Sequence, residues 1–144
     1  MARLVSMPLS HLDDIARVAN GFPYLMQLIG YYAVLYGESS GSVDSAILGK
    51  AVKAARADLE DNVFAPILAT LSDRDRQLLN AMAQDEDVSK VSDIIKRMGA
   101  TDSSFQPYRA RLIDAGIVEA PRRGELVFAV PFLGEYLATQ KRPS

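Results

Sequence analysis

TDSSFQPYRARLIDAGIVEAPRRGELVFAV, residues 101–130, is the stretch on which the fold turns. Its first half predicts a helix capped by Asp102, Ser103 or Ser104 and closed by Gly116. Pro107 is tolerable there only in or near the first turn, where a missing N–H costs little. Leu112 and Ile113 read as core, and Ala115-Gly116 as a sharp turn. IVEA, PRRG and ELVFAV then predict a β-hairpin with Leu126, Phe128 and Val130 on one face.

Upstream, SDRDRQLLNAMAQ carries an N-cap serine, two early acids and the inward set Leu78, Leu79 and Met82. DEDVSKVSDIIKRMG predicts a short helix closed by Gly99, with Val91, Ile94, Ile95 and Met98 inward. Downstream, PFLGEYLATQ predicts a last helix burying Phe132, Leu133, Tyr136 and Leu137. Three helices, a hairpin and a closing helix form the winged-helix order, with the third helix as recognition helix and the hairpin as wing.

Residues 1–71 differ in character. Leu4, Val5 and Met7 resemble the end of a strand stopped by Pro8. Ser10 suits a helix N-cap with Asp13 and Asp14 in the first turn; Leu12, Ile15, Ala16 and Ala19 recur at helical spacing, and Asn20-Gly21 ends the helix. Pro23 fits the start of a second helix, running to about Tyr36 and apolar on most sides, which predicts a buried centre with its tyrosines in the core and Gln27 as a buried capping amide. A third helix carries Leu48, Val52, Ala55, Leu59 and Val63, and Pro66 is expected to end or kink it. The expected fold class is therefore mainly α: a helical bundle (1–71) followed by a winged helix-turn-helix with a small β-hairpin wing (72–144).

Composition excludes several classes. The 144 residues are 49% hydrophobic and 24% charged with a net charge of −2, which is globular and not polycationic. Without cysteine the chain has no disulfide framework and no thiolate metal site, which suits a reducing cytosol. The longest greasy run, Tyr24–Tyr36, is broken by Gln27 and Gly30 and is shorter than the roughly 20 residues a membrane span needs. No catalytic set stands out: His11 is the lone histidine, read as an exposed first-turn residue, and Asp73/Asp75 and Glu60/Asp61 read as solvated helix-end charges. No metal-ligating set is expected.

The order of MPLS, GFPYLMQLIGYY, a long helix, LATLSDRDRQLLNAMA and YRARLIDAGIVEA–GELVFAVPFLGEYL resembles the C-terminal half of P-loop ATPases of the AAA+/STAND type, akin to prokaryotic initiator-like ATPases. The resemblance covers nearly the whole chain. It implies that the helical cluster is the lid subdomain behind a nucleotide site. Gly21 and Pro23 of the Gly-x-Pro turn would then lie against ATP or ADP, with Mg²⁺ held elsewhere in the intact protein. Initiator-type relatives place a sensing arginine about where Tyr24 stands here.

The chain lacks the phosphate cradle G-x-x-x-x-G-K-[ST]. Its one Gly-Lys pair, Gly49-Lys50, is followed by Ala51 and preceded at the first glycine position by Asp44. The expectation is a portion of a longer ATPase whose nucleotide-binding core lies upstream of Met1, non-catalytic alone, and partnered by that core. The winged helix is expected to bind duplex DNA or a protein. For duplex DNA the candidate residues are Ser103, Ser104, Gln106, Arg109 and Arg111 on the recognition helix and Arg122 and Arg123 at the wing tip. Against a DNA field, residues 72–144 hold equal numbers of basic and acidic side chains. The alternative is a stand-alone winged-helix transcription regulator with a helical dimerisation region.

Overall fold

The computed structural model describes residues 7, 9–19 and 21–140. It is mainly helical with a small antiparallel sheet, and divides into two compact units, Met1–Pro66 and Ile67–Ser144. The division falls a few residues before Ser72, because the Arg76 guanidinium donates to the Leu68 carbonyl (Nη2–O 2.6 Å) and ties that segment forward. The expected strand end at Leu4 and Val5, and Asn20, lie outside the described residues.

In the first unit, α1 spans Leu9–Ala19, α2 Pro23–Gly37 and α3 Ser45–Leu59. Helix α1 begins before Ser10, so Ser10 lies inside the helix and is not its cap; Asp13 and Asp14 fall beyond the first turn, where Asp14 pairs with Arg17. Ile15 and Ala19 are buried, whereas Leu12 and Ala16 face solvent. His11 is half-buried and bonds the Val43 carbonyl through Nδ1 at 3.0 Å, joining α1 to the segment before α3. The Asp44 carboxylate caps α3 by accepting from the Ile47 N–H.

Helix α2 is not buried all round. Its buried residues, Leu25, Ile29, Ala33 and Gly37, stand four apart and form one stripe against α3, where Ala51 and Ala55 are equally buried. Small side chains on both helices permit close approach, and one stripe is all that a single neighbouring layer can cover. Gln27 is therefore exposed, as are Tyr24 and Tyr31, the latter 62%. Tyr32 and Tyr36 stack at the half-buried edge. The Tyr32 hydroxyl donates to Asp58 (3.0 Å), which holds the phenol above its usual range, and Lys50 sits 4.5 Å over the Tyr36 ring.

The α-helical ladder of α3 gives way at Leu59, before Pro66, while helical backbone continues through it. A π-turn over Glu60–Phe64 carries the chain into α4, Ala65–Ala69; within it the Ala65 N–H reaches back to Glu60.

The second unit has the winged-helix order. Helix α5 spans Asp73–Met82, strand β1 Ser89–Lys90, α6 Val91–Met98, α7 Asp102–Asp114, β2 Val118–Glu119, β3 Glu125–Phe128 and α8 Leu133–Gln140. Gly99 adopts φ +64 to end α6 as a left-handed C-cap. Thr101, not a residue inside the helix, caps α7. Pro107 sits in the second turn of α7 on its exposed side.

Strand β3 lies between β1 and β2, antiparallel to both, with Ser89 opposite Leu126 and Val118 opposite Phe128. Strand β1 is absent from the sequence reading; at two residues it is too short to show alternation. The hairpin closes on Arg122–Glu125, with Gly124 at φ +78 in its third position. Leu78, Leu79, Ile94, Phe105, Leu112, Leu126 and Leu133 are fully buried and form the core of this unit.

Candidate functional site

The expected nucleotide-facing turn is Gly21-Phe22-Pro23. Gly21 takes φ +75, the left-handed region that favours glycine. Phe22 is extended and stands at the N-cap of α2 without a side-chain cap, and Pro23 occupies the first helical turn. Gly21 and Pro23 are both exposed, and a Cβ at Gly21 would meet nothing within 4 Å. The turn thus presents an open backbone and a proline ring beside the positive end of a fifteen-residue helix. Gly49-Lys50 lies inside α3.

Helix α7, the expected recognition helix, is built by a capping box: the Thr101 hydroxyl accepts from the Ser104 N–H, and the Ser104 hydroxyl accepts from the Thr101 N–H. Phe105 and Leu112 anchor its inner face. These local bonds already engage several DNA candidates. Ser104 serves the box, the Ser103 hydroxyl lies 3.3 Å from that of Thr101, and Gln106 reaches Asp102 at 3.4 Å.

The arginines separate. Two residues along a helix rotate a side chain by about 200°, so Arg109 and Arg111 leave α7 on opposite flanks. Arg111 turns toward α5, where its Nε and Nη2 donate to one oxygen of Asp75 at 3.3 and 3.2 Å. Its guanidinium also stands 5.1 Å from the Tyr108 ring centre. Asp75 is buried, contrary to its reading as a solvated helix-end charge; its other oxygen accepts from the N–H and hydroxyl of Ser72. The S-x-x-D spacing of a capping box signals the Ser72 half of this arrangement in the sequence. The Arg111 half joins residues 36 apart and carries no local signal.

Arg109 is half-buried, and Arg122 and Arg123 are exposed in the wing turn. Among the described residues no side-chain hydrogen bond or ion pair engages these three. The outward face of α7 between the flanks is Ser103, Pro107, Ala110 and Asp114, all exposed and without a cation.

A second polar cluster locks the segment after α5. Asp85 accepts from both terminal nitrogens of Arg97 (2.7 and 3.1 Å) and from the Ser89 hydroxyl (2.8 Å), while Arg97 also donates to the Ala81 carbonyl. Arg97 and then Ser89 hold the Asp85 carboxyl below its ordinary value. Among the described residues no group of acids and histidines is placed to hold a metal ion, and no helix is long and apolar enough to cross a membrane.

No curated protein and no solved structure matches the chain. A family model described as a domain of unknown function, DUF8462, matches residues 61–137. The match runs from the π-turn through most of α8, more than half of the chain. The chain therefore belongs to the DUF8462 family of domains of unknown function.

Proposed function

We propose that this chain is a non-catalytic regulatory portion of a P-loop ATPase, whose lid cluster reads the nucleotide state through Gly21 and Pro23 and whose winged helix engages a protein partner. The ATPase half of the reading rests on the resemblance in element order, and the left-handed, exposed Gly-x-Pro turn is compatible with it. ATP or ADP with Mg²⁺ would be held mainly by a nucleotide-binding core elsewhere in the same polypeptide.

The choice of protein over DNA is carried by one observation: the outward face of α7 has no cation and ends in Asp114. Duplex binding draws its affinity from phosphate neutralisation. A recognition helix whose Arg111 is engaged by Asp75 and whose Arg109 lies on a flank supplies little of it. Arg109, Arg122 and Arg123 favour the second reading, contact with duplex DNA through the wing.

Fluorescence anisotropy with labelled duplex at low salt tests the choice. The expected result is no binding tighter than the non-specific range of roughly 10⁻⁴–10⁻⁶ M. Nanomolar affinity, with a salt slope that falls by about 2 to 3 on neutralising Arg109, Arg122 and Arg123, would establish the DNA reading instead.

A further inference from the structure

The winged-helix unit carries an open groove of about 530 Å³ between the segment after α5, strand β3 and helix α8. Its volume lies in the range of ligand-binding clefts. Val127, Phe128, Val130, Pro131, Phe132 and Ala138 supply its apolar lining, beside polar surface of comparable extent. Every ionisable side chain lining it is acidic, with Asp85, Glu86 and Asp87 on one wall and Glu135 on α8. Asp85 is satisfied by Arg97 and Ser89 and fixes its wall, whereas Glu86 and Asp87 are exposed.

Two backbone features shape the floor. Phe132 has φ +68, a left-handed conformation that a bulky side chain adopts at a cost and that clusters at ligand clamps. Gly134 lets the Phe128 ring lie directly on α8, since a Cβ there would come within 3.0 Å of the ring.

We propose that this groove docks a segment of a partner protein that presents apolar side chains flanked by lysine or arginine. The floor takes the apolar side chains, and the carboxylates on the rim select the flanking cations and exclude acidic segments. The proposal rests on the protein-partner reading above and gives it a face and a chemistry: the partner meets the α8 side of the wing sheet.

The probe is a short synthetic peptide of alternating lysine and leucine around a central phenylalanine. It is titrated into the full chain by ¹H–¹⁵N NMR. Two controls replace its lysines by glutamate or its apolar residues by serine. Shifts centred on Val127, Phe128, Phe132 and Ala138, lost with both controls, are the expected result. Glu86→Gln/Asp87→Asn alters exposed side chains only, so its melting point should hold while affinity for the lysine–leucine peptide drops about two- to tenfold.

Absence of binding, shifts centred elsewhere, equal binding of either control, or an unchanged affinity in the double variant would each overturn the groove assignment. Tight duplex binding in the anisotropy experiment would instead overturn the protein-partner reading of α7 and leave the peptide result standing, so the two failures are distinct.

Discussion

Arg111→Met separates a structural arginine from a DNA-reading one. Methionine keeps an unbranched stem over Tyr108 and removes only the guanidinium. What remains is the Asp75 carboxylate, 4% exposed, opposite an empty position once held by a side chain 56% exposed. Breaking a fully buried pair costs about 3–5 kcal/mol, and an exposed one about 0–1 kcal/mol. This pair is buried on one side only, and Ser72 keeps two bonds to the carboxylate at 3.1 and 2.8 Å. The expected loss is therefore about 1–2 kcal/mol.

For a unit of this size, that loss lowers the melting midpoint by roughly 4–15 °C. Circular dichroism melts of the full chain, with hydrogen exchange at α5 and α7 amides to assign the transition, measure it. A cycle with Asp75→Asn should return a coupling of about 1 kcal/mol. Duplex affinity, whatever its size, should not depend on Arg111. A melt moved by less than about 1 °C, or a duplex affinity that collapses in Arg111→Met, refutes the reasoning.

Three further outcomes are expected. Pro23→Ala leaves no hydrogen bond unmade and should cost about 0.4–1 kcal/mol through the unfolded chain, while weakening nucleotide binding in the intact protein; unchanged nucleotide affinity with a lowered melting point would remove the functional role of the turn. The Asp85 carboxyl is held below its ordinary 3.8, so its stabilisation is complete above that pH and is lost as pH falls through the lower folded value. The stability gap between wild type and Asp85→Asn should therefore be full near neutrality and close progressively below about pH 4, and a gap constant down to about pH 2 would contradict the Arg97–Asp85 geometry. Purified chain should not turn over ATP, because Gly49-Lys50 is helical and no phosphate cradle surrounds it; turnover abolished by a substitution within the chain would overturn the regulatory reading.

The elements were legible where the chain signals to itself over a few residues. Ser72 before Asp75, Gly99 after Met98, Pro23 at a helix start and the PRRG turn are local bonds and local dihedrals, and each stands where the pattern put it. The periodicity of Leu78, Leu79 and Met82 and the alternation of Leu126 and Val130 located the core of this unit in the same way, while Phe128 between them is half-buried and lines the groove. Thr101 caps α7 in place of Asp102, Ser103 or Ser104, because four adjacent hydroxyl or carboxylate residues can each start that helix.

Burial was less legible, because it depends on what arrives from elsewhere in the chain. GFPYLMQLIGYY is apolar enough for a fully enclosed helix, yet only the stripe ending in Ala33 and Gly37 is buried, and Gln27 and Tyr31 stay outside. Asp75 reads as a solvated charge beside Asp73 until α7 brings Arg111 across to it. The same contact holds Arg111 at a flank of α7 and leaves the outward face without a cation and with Asp114. Caps, turns and periodicity act between near neighbours, so the longer helices, the hairpin and their order are readable from the residues alone. Which charges are engaged, which face of α7 is open and where acids line a groove emerge only on folding, because they depend on contacts between residues distant in the chain.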